Sequence, residues 1–405
     1  MSSWPRVSLQ DVCQTITDGS HYSPATTTEG FPYITVRDLD GGVIDFVGCK
    51  FVADADYADL KRNGCAPRKG DVLFSKDGTV GKVALVSTDE AFVVLSSLAI
   101  LRPDPSIIDS GFLAYCLQSP DFLAEVIGRK TGVAIRRVIL KNLKSMRFAL
   151  PALDEQRRIV AVLDEAFAAI ATATSNAEKN LANARKLLDD FLSATFDGTT
   201  NDWDVSTIGE VCTLRSGTTV RAELEQPSGE IPYVKVADMS HPDNLDRITT
   251  SSRFLRRSDV GRNALIPAGA TIFPKRGGAI MTNKKRLVAT PMAADLNIMS
   301  VIPGPRLTAR FLNYYFQNVD MRLLGSGSSI PQINNYDIEP LKIAIPDEAT
   351  QLDFVAKADA VKSEILKLSA IYSRKLEQFS KLKQSLLHCA FTGELTAAMP
   401  ETIAA

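Results

Sequence analysis

With 405 residues, 45% of them hydrophobic, the chain has enough material for two or three domains, each with its own core. Its formal net charge of −1 excludes a uniform coat of positive charge, so any surface for nucleic acid has to come from local clustering of basic residues. The opening Met1-Ser2-Ser3-Trp4-Pro5 lacks a charged lead followed by an apolar run, and nowhere do eighteen apolar residues follow one another, so a cytoplasmic protein with no membrane partner is expected.

The first half opens on Trp4 and Val12-Cys13. Short β-branched and aromatic runs follow at Pro32 to Val36, Asp71 to Phe74, Lys82 to Val86 and Phe92 to Leu101, punctuated by Gly41-Gly42, Gly64 and Asp77-Gly78, which predicts a body built mostly of strands. Phe112, Leu113, Tyr115 and Gln118 have the spacing of a buried helical stripe, with the aromatics as core. From Val126 to Leu153 the chain carries Arg129, Lys130, Arg136, Arg137, Lys141, Lys144 and Arg147 and no acid. A long helix is predicted next, from about Asp154 to Asp197. Its Leu163, Phe167, Ile170, Thr174, Ala177, Leu181, Ala184, Leu188 and Phe191 fall at alternating spacings of four and three, the pattern of a coiled-coil seam. Pro151 and acidic residues precede or open it, and Gly198 is placed to cap its end.

The second half repeats the first. Trp203 answers Trp4 (203 − 4 = 199), Ile231 to Met239 answers Phe31 to Leu39, and Gly269 to Lys275 answers Gly70 to Lys76. Gly132, Ile135, Pro151, Gln156, Phe196 and Gly198 recur at Gly327, Ile330, Pro346, Gln351, Phe391 and Gly393, each with the same offset (351 − 156 = 195). Such a series marks a duplicated domain. Phe311, Leu312, Tyr314 and Gln317 repeat the helical stripe, and between Asp259 and Asp295 lie Arg262, Lys275, Arg276, Lys284, Lys285 and Arg286 without an acid. Two acid-free basic stretches in related domains favour a phosphate-contacting surface over a merely solvated face.

The second long helix is predicted from about Asp347 to Thr392, with Val361, Ile365, Leu368, Tyr372, Leu376, Phe379, Leu382 and Leu386 as its stripe and Gly393 as its cap. At 1.5 Å per residue, some forty-four residues span roughly 65 Å, longer than a small domain needs, so each long helix must pack on a partner. The nearest partner is the other one, run antiparallel. The fold class expected is therefore α+β: two mixed, strand-rich domains joined by two long antiparallel helices in a coiled-coil strut, with pseudo-two-fold duplication.

Catalytic constellations are missing from the sequence. It has no Walker A sequence, no HExxH and no Asn-Pro-Pro-aromatic tetrad, and His21, His241 and His388 are scattered. Pro120-Asp121 leads only to Glu125-Val126-Ile127, without the lysine of a Mg²⁺ nuclease core, and Gly325-Ser326-Gly327-Ser328-Ser329 lacks the strand and helix of a phosphate cradle. The six cysteines, Cys13, Cys49, Cys65, Cys116, Cys212 and Cys389, form no CxxC pair and are read as buried, reduced thiols. No metal site is expected.

Gly70-Asp71-Val72-Leu73-Phe74-Ser75-Lys76-Asp77-Gly78-Thr79-Val80-Gly81-Lys82, Gly327-Ser328-Ser329-Ile330-Pro331-Gln332-Ile333-Asn334, and the helix openings Leu150 to Arg157 and Ile345 to Gln351 stand in an order, twice over, that resembles the specificity subunit of type I restriction-modification systems. The second copy departs at Pro274-Lys275-Arg276-Gly277-Gly278 and at Thr350-Gln351, where the family has Glu-Gln. The resemblance implies target-recognition domains at 1–152 and 199–346, spacer helices at 153–198 and 347–395, and a tail at 396–405. It implies a non-catalytic chain that binds double-stranded DNA and recruits two methyltransferase subunits and restriction/translocase subunits. S-adenosylmethionine, ATP and Mg²⁺ are expected on those partners and no cofactor on this chain.

The residues expected at DNA are Lys76, Arg136, Arg137, Lys275, Arg276, Lys284, Lys285, Gln332 and Asn334, the cations on phosphates or guanine and the two amides available for adenine. The alternatives are the specificity subunit of a related combined nuclease-methyltransferase system and a coiled-coil scaffold that binds no DNA.

Overall fold

The computed structural model describes residues 4–128, 137–196, 202–325 and 331–397. The chain separates into two compact units, Met1–Ala177 with Ser373–Ala405 and Glu178–Tyr372. Both divisions fall inside the long helices, Leu153–Phe196 and Glu348–Thr392. Each unit thus holds one strand-rich body and a stretch of each long helix.

In the first unit a four-stranded antiparallel sheet runs Cys13–Asp18, Leu98–Pro103, Val72–Ser75, Val83–Leu85. Val72, Leu73 and Phe74 are all fully buried, as a strand covered on both faces requires, and this is why it reads as an unbroken apolar run. A second sheet places Phe31–Ile34 between Lys50–Val52, antiparallel, and Val93–Val94, parallel. The run Phe92 to Leu101, expected as one strand, is therefore two. The chain turns at Leu95, whose carbonyl accepts from Leu98 N at 2.9 Å, and passes from one sheet to the other. Apolarity alone carries no sign of such a change of sheet. A ribbon of Arg6–Ser8 with Arg147–Ala149 brings the start of the body beside the entry to the first long helix.

The second unit repeats the plan with Cys212–Ser216, Ile298–Pro303, Thr271–Pro274 and Arg286–Val288, with Ile231–Val234 between Phe254–Leu255 and Ala293–Ala294, and with the ribbon Asp204–Thr207 and Lys342–Ile345. It differs at one edge. Arg247–Ile248 adds a fifth strand, parallel to Arg286–Val288, where the first unit instead forms a separate hairpin of Leu39–Asp40 and Val43–Ile44. Gly70 and Gly269, at φ +88° and +86°, make the same left-handed turn into the same strand of each sheet.

The short helices Ser110–Gln118 and Ala309–Asn318 bury Phe112, Leu113, Phe311 and Leu312 completely, as core. Behind them each long helix is pinned at its start by a buried glutamine. Gln156 Oε1 accepts from Asp109 N at 2.8 Å while its Nε2 donates to Ile107 O and Pro151 O at 3.1 and 2.9 Å. Gln351 does the same with Thr308 N, Arg306 O and Pro346 O, at 2.8, 2.9 and 3.0 Å. The repeated glutamine is thus a clamp that fixes the direction in which the helix leaves the body.

The first long helix buries or half-buries its whole expected stripe, from Leu163 to Phe191. It is also long and apolar enough, by length and composition, to cross a membrane. Its apolar stripe packs on neighbours within the units. In the first unit Glu155 meets Thr396 and Phe167 meets Lys383, so the two helix stretches there run antiparallel. The second stripe corrects the sequence reading. Leu368 and Leu382 are 36% and 47% exposed. Ile365, Ser369, Tyr372, Leu376, Phe379, Lys383, Leu386 and Ala390 are buried or half-buried and keep a strict four-three alternation that hydropathy hides behind a serine and a lysine. Lys383 belongs there because its methylenes pack and its ammonium rests on the Phe167 ring, 4.7 Å from the centroid.

Gly393 caps the second helix at φ +83°, while Gly198 lies outside the described residues. All six cysteines are free. Cys49, Cys65 and Cys116 are buried, but Cys13, Cys212 and Cys389 are only half-buried. Burial nonetheless pushes the Cys13 thiol up to about 12 and Cys212 up to about 11, so neither is a reactive thiolate.

Candidate nucleic-acid interface

In each unit the chain leaves the central strand, at Ser75 or Pro274, into the turn whose sequence is repeated, and a distant segment is stitched to that turn. In the first unit Asp77 and Arg137 form an isolated antiparallel bridge, and Val138 N donates to Lys76 O at 2.9 Å. In the second, Arg276 and Gln332 form the bridge, Ile333 N donates to Lys275 O at 2.9 Å and Gly277 N donates to Pro331 O at 2.8 Å. The positions correspond (276 − 77 = 199, 332 − 137 = 195). One backbone arrangement therefore carries an acid and an arginine in one unit, and an arginine and an amide in the other.

Three of the lysines expected at DNA are turned into the protein. Lys76 is 5% exposed, with Nζ 3.0 Å from Asp77 Oδ2 and 3.6 Å from Asp18 Oδ2. Its counterpart Lys275 is 9% exposed and donates to Ser216 Oγ at 2.7 Å; burial, and then Arg276 beside it, lower its pKa. Lys285 is 2% exposed, donates to Asn283 Oδ1 at 2.9 Å, and is pushed down to about 8 by burial, against the pull of Asp320. These ammonium groups hold loops together. Basic composition predicted their exposure, but Asp18 and Asp77 claim Lys76, Ser216 claims Lys275 and Asn283 claims Lys285.

Arg137 and Arg276 are exposed. Lys284 is half-buried and donates to Ser240 Oγ at 2.6 Å. Arg136, with Arg129 and Lys130, lies outside the described residues. Beside Arg276 the two amides form a chain: Gln332 Nε2 donates to Asn334 Oδ1 at 2.6 Å, and Asn334 Nδ2 donates to the Tyr336 hydroxyl at 2.8 Å. The turn of Asn335–Ile338 holds this chain in place, since Asn334 N donates to Asp337 Oδ2 at 2.8 Å. The structure therefore gathers Arg276, Gln332 and Asn334, and sets Lys284 and Lys285 on a separate loop.

Two further residues belong to the region and were not read from the sequence. Tyr336 is 65% exposed and its hydroxyl accepts from Asn334. Asn283 is the one non-glycine with positive φ among the described residues, at +51°, and its Oδ1 also accepts from Met321 N at 2.9 Å. An asparagine ahead of a lysine pair is the available signal for the second, because asparagine tolerates the left-handed region. For Tyr336 the signal is an aromatic at the same alternation as Gln332 and Asn334.

Residues 1–181 and 200–370 each match the family model of the type I restriction modification DNA specificity domain. The chain belongs to this family. It resembles the specificity subunit of the EcoBI type I restriction enzyme of Escherichia coli, at 27% identity over 42% of this chain and 35% of that subunit. It thus spans about a third of that relative. The putative MjaX type I specificity subunit of Methanocaldococcus jannaschii is 22% identical over 97% of this chain and 93% of its own. Among solved structures, a chain from a study of complex assembly and conformational transition in the type I R-M system shares the fold at TM-score 0.79 and 19% identity, covering 97% of this chain and 98% of that one. The HsdS subunit of Thermoanaerobacter tengcongensis does so at TM-score 0.60 and 19% identity, with 98% of both chains covered. Each matched segment contains one of the two stitched turns.

Proposed function

We propose that this chain is the DNA sequence-recognition subunit of a type I restriction-modification complex, in which each specificity domain reads one half of a bipartite, asymmetric site. The observation that carries this is the shared bridge with exchanged side chains: one scaffold, built twice, presents Asp77 with Arg137 in one domain and Arg276 with Gln332, Asn334 and Tyr336 in the other. Equal backbones with unequal donors and acceptors are what two different half-sites demand. Arg137, Arg276 and Lys284 then supply phosphate or guanine contacts, and the amides and Tyr336 face base edges. The long helices set the unread gap, and their exposed Leu366, Leu368 and Ile371 offer apolar surface to the two methyltransferase subunits.

In this reading the chain is not an enzyme. S-adenosylmethionine, ATP and Mg²⁺ act on the methyltransferase and translocase partners, and the whole works in the cytoplasm. The test is the methylated motif of cells that express the complete system, before and after residues 1–152 are exchanged for the matching domain of a relative. One half-site changes and the other stays. A change in both half-sites overturns independent reading, and methyl transfer by the purified chain alone overturns the non-catalytic role.

A further inference from the structure

The two units treat one corner of the fold differently. In both, a tyrosine of the short helix donates to a carboxylate on the long helix behind it: Tyr115 to Asp164 in the first unit and Tyr314 to Asp359 in the second. The positions correspond (314 − 115 = 199, 359 − 164 = 195). In the second unit the carboxylate belongs to a closed cluster. The Arg310 guanidinium lies 2.7 Å from Asp359 and 3.0 Å from Asp246, with its carbon 4.8 Å from the centre of the Tyr314 ring. Lys362, one turn along the same helix, pairs with Asp246 as well. Every charge there has a partner of opposite sign.

In the first unit the carboxylate and the phenol are kept and both cations are gone. Gly111 stands at the place of Arg310 (310 − 111 = 199), and Phe167 at the place of Lys362 (362 − 167 = 195). What remains is a cavity of about 810 Å³, with Ile44, Phe46, Val160 and Phe167 among its apolar lining and Tyr115, Asp164, Asp109 and Gln118 among its polar lining. Lys383 also reaches the wall, but its ammonium is seated on the Phe167 face.

We propose that this cavity is a socket for an arginine side chain presented by a protein partner. The guanidinium takes the place beside Tyr115 and against Asp164 that Arg310 takes in the second unit, and the aliphatic stem lies along Ile44 and Phe46. Ile44, Phe46 and Val160 beside two carboxylates, Asp164 and Asp109, suit a long side chain with a planar cation at its tip. The same carboxylates repel a phosphate, so the socket serves a protein and not the DNA. The inference is independent of the reading of half-sites.

The test uses the full chain and two probes that differ only in charge, Nα-acetyl-arginine amide and Nα-acetyl-citrulline amide, titrated by ligand-observed NMR. The arginine probe binds with a dissociation constant on the order of 1–10 mM, as expected for so small a ligand, and the citrulline probe about tenfold more weakly. Asp164→Asn, which keeps the volume, lowers the arginine probe to the level of citrulline. Gly111→Arg fills the socket from within, and binding is lost. Its new Cβ stands 3.1 Å from Asp109 Oδ1 and Val160 Cγ1, so a melting temperature accompanies it, and Asp164→Asn decides the matter if that variant fails to fold. Equal affinity for both probes, no binding of either by the folded wild-type chain, or full binding by a folded Gly111→Arg overturns the proposal.

Discussion

Arg276 stands directly opposite Gln332 in an isolated antiparallel bridge, at the place where Asp77 stands opposite Arg137 in the first domain. The bridge ties the turn after the central strand to a segment more than fifty residues away in sequence, so a side chain presented there has its backbone fixed on two sides. Such rigidity is what separates a reading residue from a charge on a solvated loop. Lys275, next to Arg276, is turned inward to Ser216 and cannot do the same work.

The first prediction follows from this contrast. Arg276→Gln weakens binding of DNA and lowers the slope of log affinity against log salt by about one unit, the loss of one phosphate contact. Lys275→Met leaves the slope unchanged and lowers the melting temperature instead. Equal slopes for wild type and Arg276→Gln, with folded protein, remove Arg276 from the interface.

Stability depends on the two glutamine clamps. Gln156→Ala strips buried partners from Asp109 N, Ile107 O and Pro151 O, and Gln351→Ala does so in the second unit. Each lost partner leaves a buried backbone group unsatisfied, and the combined cost is roughly 2–4 kcal/mol for the unit concerned. Urea denaturation of each variant, read against wild type, measures it. A loss below about 0.5 kcal/mol means that water replaces the clamp.

The sequence showed what depends on periodicity. The repeat, the core stripes around Phe112 and Phe311 and both long helices are legible because neighbours along the chain share one face. What it hid depends on partners remote in sequence. Lys76 and Lys275 read as exposed cations because nothing near them reveals Asp18 or Ser216, while for Lys285 the neighbouring Asn283 was the one local sign. Leu368 and Leu382 were assigned to the helix seam by apolarity, whereas Ser369 and Lys383 keep its spacing. The bridge partners Asp77 with Arg137 and Arg276 with Gln332 are each visible in the sequence, but their pairing requires the fold.

Lys285 makes stability depend on pH. Its ammonium sits at about 8, against 10.5 for a free lysine, because burial penalises the charge. Below about 8 the group is charged in folded and unfolded chain alike, and the penalty is present in full. Between that point and 10.5 the unfolded chain binds more protons, so stability rises with pH, by up to roughly 3 kcal/mol across the window. Asp320 pulls the other way, but burial outweighs it. Lys285→Met flattens the rise, which denaturation at pH 7.5 and pH 10 measures; an equal rise in the variant assigns it to another group.

The last prediction concerns the gap between the half-sites. Both long helices pass from one unit into the other, the first at Ala177 and the second at Tyr372, so the length of helix there enters any distance between the two reading surfaces. Four inserted residues add one turn, about 6 Å of rise, and nearly restore rotational phase because 3.6 residues make a turn. At roughly 3.4 Å per base pair this corresponds to one or two additional unread pairs. The insertion also has to respect the four-three seam that runs from Ile365 to Ala390. Inserted after Ala177 alone, the turn shifts one helix against a partner whose seam is unchanged, and the variant loses stability. Matched turns after Ala177 and Tyr372 keep the pairing and give the cleaner result. The measurement is the methylated motif in cells that express the complete system: the half-sites stay and the gap lengthens. An active variant with both half-sites and the gap unchanged shows that the helices do not set the spacing.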